Sequence, residues 1–456
     1  MTQTITPTPL NPLPNGPNSS PAWQLLQWIG QPIALMESCH QQYGDIFTLR
    51  LSGLGPLVFC SHPQAIQEIF TADPKHFDSG QSNQLMQPLL GDASVILLDG
   101  DRHQQQRQLL MPPFHGERMR TYGDLMVKIT RQVTAGWRAG QTFNVREPIQ
   151  NISLQVILQA VFGVTDPQRY QALLEILPSM LDRVSSPITS SFLFIPVLQR
   201  DWGDWSPWGK FVRQRSHLNQ LIYQEIAERR AHFDPERTDI LTLMLSARDG
   251  AGQPMTDGEL RDELMTLLLA GHETTASAIT WALYWIAKLP HIQERLVADL
   301  SAYGDLNDAK TLMRLPYLSA LCNETLRIYP VAPITFPRIL KVPMTVMGQD
   351  FAPGTRLTPC IYLTHHRHDL YPNPQTFCPE RFLEKTFSPY EFIAFGGSDR
   401  RCIGMAFALF EMKQVLATLL TQFRFEFVGS RSIKPVRRGV TLAPPKSLQL
   451  YLAEHL

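Results

Sequence analysis

Cys402 stands in the stretch "FGGSDRRCIG" (395–404), late in the chain and ahead of a long apolar run. A disulfide, a zinc site, a nucleophile and a haem ligand all use cysteine, and each needs different neighbours. The six cysteines, Cys39, Cys60, Cys322, Cys360, Cys378 and Cys402, include no CxxC pair, so spacing suggests neither a disulfide framework nor a zinc ribbon. A nucleophile would want a histidine, and none is near in sequence. "CIGMAFALFEMKQVLATLLTQF" reads as a helix starting at Cys402, whose amino end would offer free amides and positive dipole to a thiolate. That environment suits a thiolate bound to haem iron. Gly396 and Gly397 permit a tight turn around the sulfur, Gly404 would let the helix approach a flat ring, Arg400 could reach a propionate, and Phe395 would shield the sulfur. A buried, inert cysteine is the alternative reading.

A second constellation interrupts "TDGELRDELMTLLLAGHETTASAITWALYWIAKLP". Thr256 and Glu259 have capping-box spacing and Pro290 ends the pattern, so the segment predicts one helix of about 45 to 50 Å. Its apolar middle contains Gly271, His272, Glu273, Thr274 and Thr275, although an unpaired buried carboxylate costs several kcal/mol and a helical glycine about 1 kcal/mol relative to alanine. A widened helix would explain this, with Gly271 leaving room for a small ligand and Glu273 and Thr274 delivering protons. The other reading is a solvent-facing stripe in which Thr274 bonds back to a carbonyl one turn earlier.

Charged side chains form two further groups. Glu324 and Arg327 share a helical face in "ETLR", and Arg381 of the Pro-rich "PNPQTFCPERF" could complete a cluster with them. His103 and Arg107 lie four apart on one predicted helix, and Arg338 follows the extended "APITFP". With Arg400 they could serve a ligand carrying two carboxylates, because guanidinium binds carboxylate in bidentate geometry.

The elements that must carry these residues are mostly helical. "IGQPIALMESCHQQYG" reads as a helix, "IFTLRL" and "LVFC" as strands, 63–320 as largely helical, and "TVMGQDFAPGTRLTPCIYL" as a return to strands. We expect a Pro-rich leader over 1–22 and a single domain over 23–456, mainly α with a smaller β portion. A formal net charge of zero argues against nucleic-acid binding. No apolar run approaches the roughly 18 residues of a membrane span, and the scattered cysteines suit a reducing cytoplasm.

In order and spacing, the His103/Arg107 helix, "AGHETT", "ETLR", the Arg338 strand, "PERF" and the cysteine loop resemble a cytochrome P450 of the soluble bacterial type along nearly the whole chain. The resemblance implies the triangular fold of that family with haem b between the central helix and the cysteine helix. It implies Cys402 as iron ligand, and His103, Arg107, Arg338 and Arg400 as propionate contacts. It implies Glu273 and Thr274 as the proton relay toward dioxygen, and Glu324, Arg327 and Arg381 as a lock behind the cysteine loop. Pocket walls are expected at 82–90, 331–336 and 439–444, and a lid in the aromatic-rich 190–211. One departure is Ser398, where the family pattern "FxxGxRxCxG" has its first glycine. The activity expected is hydroxylation of an unactivated C–H bond in a hydrophobic substrate, a long-chain fatty acid or a terpenoid. Electrons would come from a separate donor such as ferredoxin or flavodoxin with its reductase. The alternatives are a haem-thiolate isomerase or peroxygenase and a non-catalytic haem-binding protein.

Overall fold

The computed structural model describes residues 12–114, 118–185, 199–203, 205–302 and 309–456. A helical bulk surrounds one helix, Asp257–Lys288, whose 32 residues run unbroken from a complete Thr256/Glu259 capping box to the turn before Pro290. Most of its length is buried on all sides, so its apolar residues need no single stripe. The helix Arg146–Ile157 packs along it, and the helix Met405–Leu420 crosses it. These three share the main hydrophobic core with Trp281, Tyr284, Phe407 and Phe410.

The β portion lies to one side. Its largest sheet has five strands in the order Ile46–Leu51, Gly55–Cys60, Arg356–Pro359, Arg338–Leu340 and Phe77–Asp78. Only the Gly55–Cys60 and Arg356–Pro359 pair is parallel. This sheet fixes Arg338, which opens its strand opposite Leu357. A three-stranded sheet joins Thr142–Asn144, Gln449–His455 and Phe423–Phe427, and two hairpins complete the set among the described residues.

Two sequence expectations differ from the structure. The segment "IYL" of the predicted strand region is helical, Ile361–His365, because it leaves the sheet at Pro359 and turns into the core. The cysteine helix begins at Met405 rather than Cys402, since 398–400 form a separate 3-10 turn. In the described part of the expected leader, Asn15 accepts the Thr48 amide at 3.1 Å, Leu13 packs against a sheet-side core, and a helix starts at Pro21. Residues 190–198 and 204 of the expected lid lie outside the described residues. Trp202 and Trp205 stack in the open, with ring centroids 5.8 Å apart. Among the described residues, no helix is long and apolar enough to cross a membrane.

Candidate haem-thiolate site

The cysteine loop closes on itself through backbone hydrogen bonds. The Cys402 amide donates to the Phe395 carbonyl at 2.9 Å and the Arg401 amide to Ser398 at 3.2 Å. The turn needs the left-handed region twice, at Gly396 (φ +68°) and at Ser398 (φ +60°). Gly397 serves space instead: a Cβ there would meet the Phe70 ring at 2.3 Å. Cys402 lies deep in the fold yet its side chain is solvent-accessible, as at the border of an interior opening. A Cβ on Gly404 would meet nothing within 4 Å, so the start of the cysteine helix is open to a flat ring. Burial pushes the Cys402 thiol up, while the Gly404 amide and the charges of Arg107 and Arg401 pull it down. What works against burial here is one amide and two nearby cations, rather than the first turn of a helix starting at the cysteine.

The expected propionate contacts do converge on this loop. His103 and Arg107 come from the helix Gly100–Leu110, Arg338 from its strand and Arg400 from the loop. Asp399 joins them, 4.0 Å from His103 Nδ1, 3.6 Å from Arg338 Nη1 and 3.5 Å from Arg400 Nε. Arg338 is buried, donates through Nη2 to the Gly397 carbonyl at 2.9 Å, and keeps Nη1 without a hydrogen-bond partner. Arg400 is committed differently. Its guanidinium donates to the carbonyls of Val95 and Leu98, at 3.3 and 2.7 Å, and to Asp99 Oδ1 at 2.7 Å. It therefore clamps the 95–99 segment to the cysteine loop, and most of its donors are occupied by protein. The same segment is held from the other side, where Val95 donates its amide to the buried Glu263 at 2.7 Å.

On the central helix, access is concentrated on one face. Between Asp262 and Ala287 nearly every residue is buried; Leu267, Ala270, Gly271 and Thr274, spaced three and four apart, are not, and neither is Leu269 on another side. The Thr274 hydroxyl donates to the Ala270 carbonyl at 2.6 Å, the back-bonded geometry, while remaining accessible. The helix stays α-helical through this stretch, and the room at Gly271 is taken by Ile157, whose Cδ1 would lie 2.7 Å from a Cβ there. Gly271 therefore allows two helices to approach, while remaining partly accessible itself. Glu273 is not free: Arg146 Nη2 lies 2.5 Å and Arg438 Nε 3.1 Å from its Oε1, and Gln150 donates to Oε2 at 2.6 Å. Arg438 also pairs with Asp182 at 2.6 Å. Sequence reasoning missed Arg146, Gln150, Arg438 and Asp399; their partners are remote in the chain or, for Asp399, hidden inside the cysteine motif.

Behind the loop, Glu324, Arg327 and Arg381 meet. Arg327 grips both Glu324 oxygens, at 2.6 and 2.7 Å, and donates to the His365 carbonyl at 2.9 Å. Glu324 also accepts from the Cys378 amide at 2.9 Å and Arg381 Nε at 3.2 Å. His365 completes the seam, its Nε2 accepting from the Ile393 amide at 2.9 Å, two residues before Phe395.

These residues fit haem b. An accessible deep thiol, open space at Gly404, a buried guanidinium nitrogen lacking a partner and an accessible stripe on the central helix are the features a flat dicarboxylate macrocycle with a thiolate-bound iron requires. The sequence profile described as cytochrome P450 matches residues 14–452. The protein named cytochrome P450 135B1 of Mycobacterium tuberculosis is 35% identical over 443 residues, covering 96% of this chain and 91% of that one. Cytochrome P450 135A1 of the same organism is 34% identical over 450 residues, covering 96% and 95%. The solved structure of cyanobacterial CYP120A1 with retinoic acid bound superposes with a TM-score of 0.85 at 26% identity, covering 98% of this chain and all of that one. The chain therefore belongs to the cytochrome P450 family, whose members are haem-thiolate oxidoreductases that generally act as monooxygenases and bind haem b through a cysteine.

Proposed function

We propose that the protein hydroxylates an unactivated C–H bond of a long-chain fatty acid or terpenoid, with Cys402 as the iron ligand and Thr274 and Glu273 delivering protons. The observation that carries this is the accessible stripe of Leu267, Ala270, Gly271 and Thr274, which puts one hydroxyl on the open face of a mostly buried helix. Haem held by a thiolate supplies the oxidising chemistry when bound. The chain supplies placement and protons. The Thr274 hydroxyl gives up its bond to Ala270 to donate, and Glu273 replenishes it once its carboxylate swings away from Arg146. His103, Arg107 and Arg338 hold the propionates, and Phe395 covers the sulfur.

Two expected pocket walls adjoin, because Leu442 donates its amide to the Val331 carbonyl at 2.7 Å. Phe336 and Val440 on those walls are exposed. An apolar lining of this kind suits a lipid-like substrate. CYP120A1 bound to retinoic acid, an isoprenoid that is also a carboxylic acid, is in keeping with either substrate class. Electrons would come from a separate ferredoxin or flavodoxin system in the cytoplasm.

The test is Thr274→Ala assayed with a reconstituted donor and a substrate chosen by its visible-spectrum shift among saturated fatty acids and sesquiterpene hydrocarbons. Reductant consumption should continue while product per reductant falls several-fold. Unchanged coupling would remove Thr274 and Glu273 from the relay.

A further inference from the structure

Asp399 reaches two cations and one imidazole at the cysteine loop, but none closely. Its 3.5 to 4.0 Å separations from Arg400, Arg338 and His103 contrast with the 2.6 Å contact between Arg327 and Glu324. Arg107 feels the same carboxylate. At these separations a carboxylate orients cations by charge without consuming their N–H donors. Arg338 Nη1 accordingly remains without a hydrogen-bond partner.

We infer that Asp399 is a positioning residue for haem, which holds Arg338 toward the propionates and keeps a further carboxylate at the haem edge that lowers the iron reduction potential. This rests on the reading of His103, Arg107 and Arg338 as propionate contacts. The charge balance supports it. Burial and the neighbouring Arg400 push His103 down to about 4, so it is neutral near pH 7. The rim then carries the guanidiniums of Arg107, Arg338 and Arg400 against the carboxylates of Asp99 and Asp399, one positive charge in excess. Two propionates turn that into one negative charge in excess. With asparagine at 399 the loaded rim would be neutral. Ferric iron carries one more positive charge than ferrous iron, so a fixed negative charge nearby favours the ferric state.

The measurement is the ferric/ferrous potential of the purified holoprotein by spectroelectrochemistry, with the rate of haem transfer to apomyoglobin as a second readout. Asp399→Asn should raise the ferrous/ferric ratio at fixed applied potential about tenfold, ~59 mV for one electron, and speed haem transfer several-fold. Asp399→Glu, which keeps the charge, should stay close to the parent protein in both. An unchanged potential in Asp399→Asn, or an equal shift in Asp399→Glu, overturns the inference. If the asparagine variant retains no haem while the glutamate variant does, the positioning role is supported directly; loss of haem from both overturns it. Arg338→Gln separates this from its premise. Faster haem transfer in Arg338→Gln without any effect of Asp399→Asn defeats only the role of Asp399, whereas no effect of either defeats the propionate reading as well.

Discussion

Two clusters of buried charge flank the cysteine loop, and they are built on opposite principles. Around Glu324 the balance is closed: Arg327 fills both carboxylate oxygens, Arg381 and the Cys378 amide add to one of them, and the remaining guanidinium donors go to main-chain carbonyls. Around Arg338 the balance is open, with a buried nitrogen lacking a partner and one carboxylate standing off at 3.6 Å. A closed cluster holds the protein to itself. An open one, kept at the cost of incompletely satisfied donors, has a donor left for a ligand.

Breaking each cluster should therefore have different consequences. Arg327→Ala leaves the fully buried Glu324 with only a partly exposed cation, and removing one partner of such a pair costs about 3–5 kcal/mol. The apoprotein itself should lose that much in chemical denaturation, and little holoprotein should accumulate. Arg338→Gln should instead spare apoprotein stability to within about 1 kcal/mol and weaken haem retention roughly tenfold, the worth of a charge-assisted hydrogen bond to a propionate. Equal losses of apoprotein stability in the two variants would erase the distinction.

The comparison sharpens at Glu411, on the cysteine helix. It is as buried as Glu324 but has no cation, and neither carboxyl oxygen has a hydrogen-bond partner. Ser153 lies beside it but donates its hydroxyl to the His272 carbonyl at 3.1 Å. Burial pushes Glu411 up to about 8. Its folded pKa thus lies above its unfolded value. Its contribution to stability is fully present below the unfolded pKa, near 4.5, and is lost as pH rises through about 8. Between those limits the parent protein should lose up to about 1.4 kcal/mol per pH unit from this group alone. Glu411→Gln should flatten the denaturation profile by that slope; parallel profiles would mean that Glu411 is already ionised in the fold.

Much of this was legible because it is written locally. The capping box, the apolar run and Pro290 bound the central helix within one segment, and "ETLR" announces its ion pair by a spacing of three. Their partners were not legible. Arg146 meets Glu273 across 127 residues and Arg400 meets Leu98 across 302, so no pattern within a window could show that Glu273 is held or that Arg400 is a clamp. Asp399 was in plain view inside the motif, but its meaning depends on a strand and a helix that arrive from elsewhere. The Ile361–His365 helix was misread as strand because β-branched and aromatic residues fit both a sheet and a buried turn of helix.

The smallest effect tests what the sequence did flag, the serine in the cysteine loop. Three neighbouring positions make separate demands. Gly396 has φ +68° and the nearest atom to a Cβ would be 3.9 Å away, so it needs conformation rather than space. Gly397 is extended, φ −163°, and needs space, because of Phe70. Ser398, at φ +60°, carries a side chain in the left-handed region, which costs roughly 1–2 kcal/mol for an L-residue. Glycine there would relieve that strain but lose about 0.5–1 kcal/mol to the greater freedom of the unfolded chain. Ser398→Gly should therefore gain up to about 1.5 kcal/mol in apoprotein denaturation, while Gly397→Ala should lose stability through its clash with Phe70. A loss in Ser398→Gly would mean that the hydroxyl contributes more than the backbone strain costs, and that the open side of the comparison is held by its turn as well as by its charges.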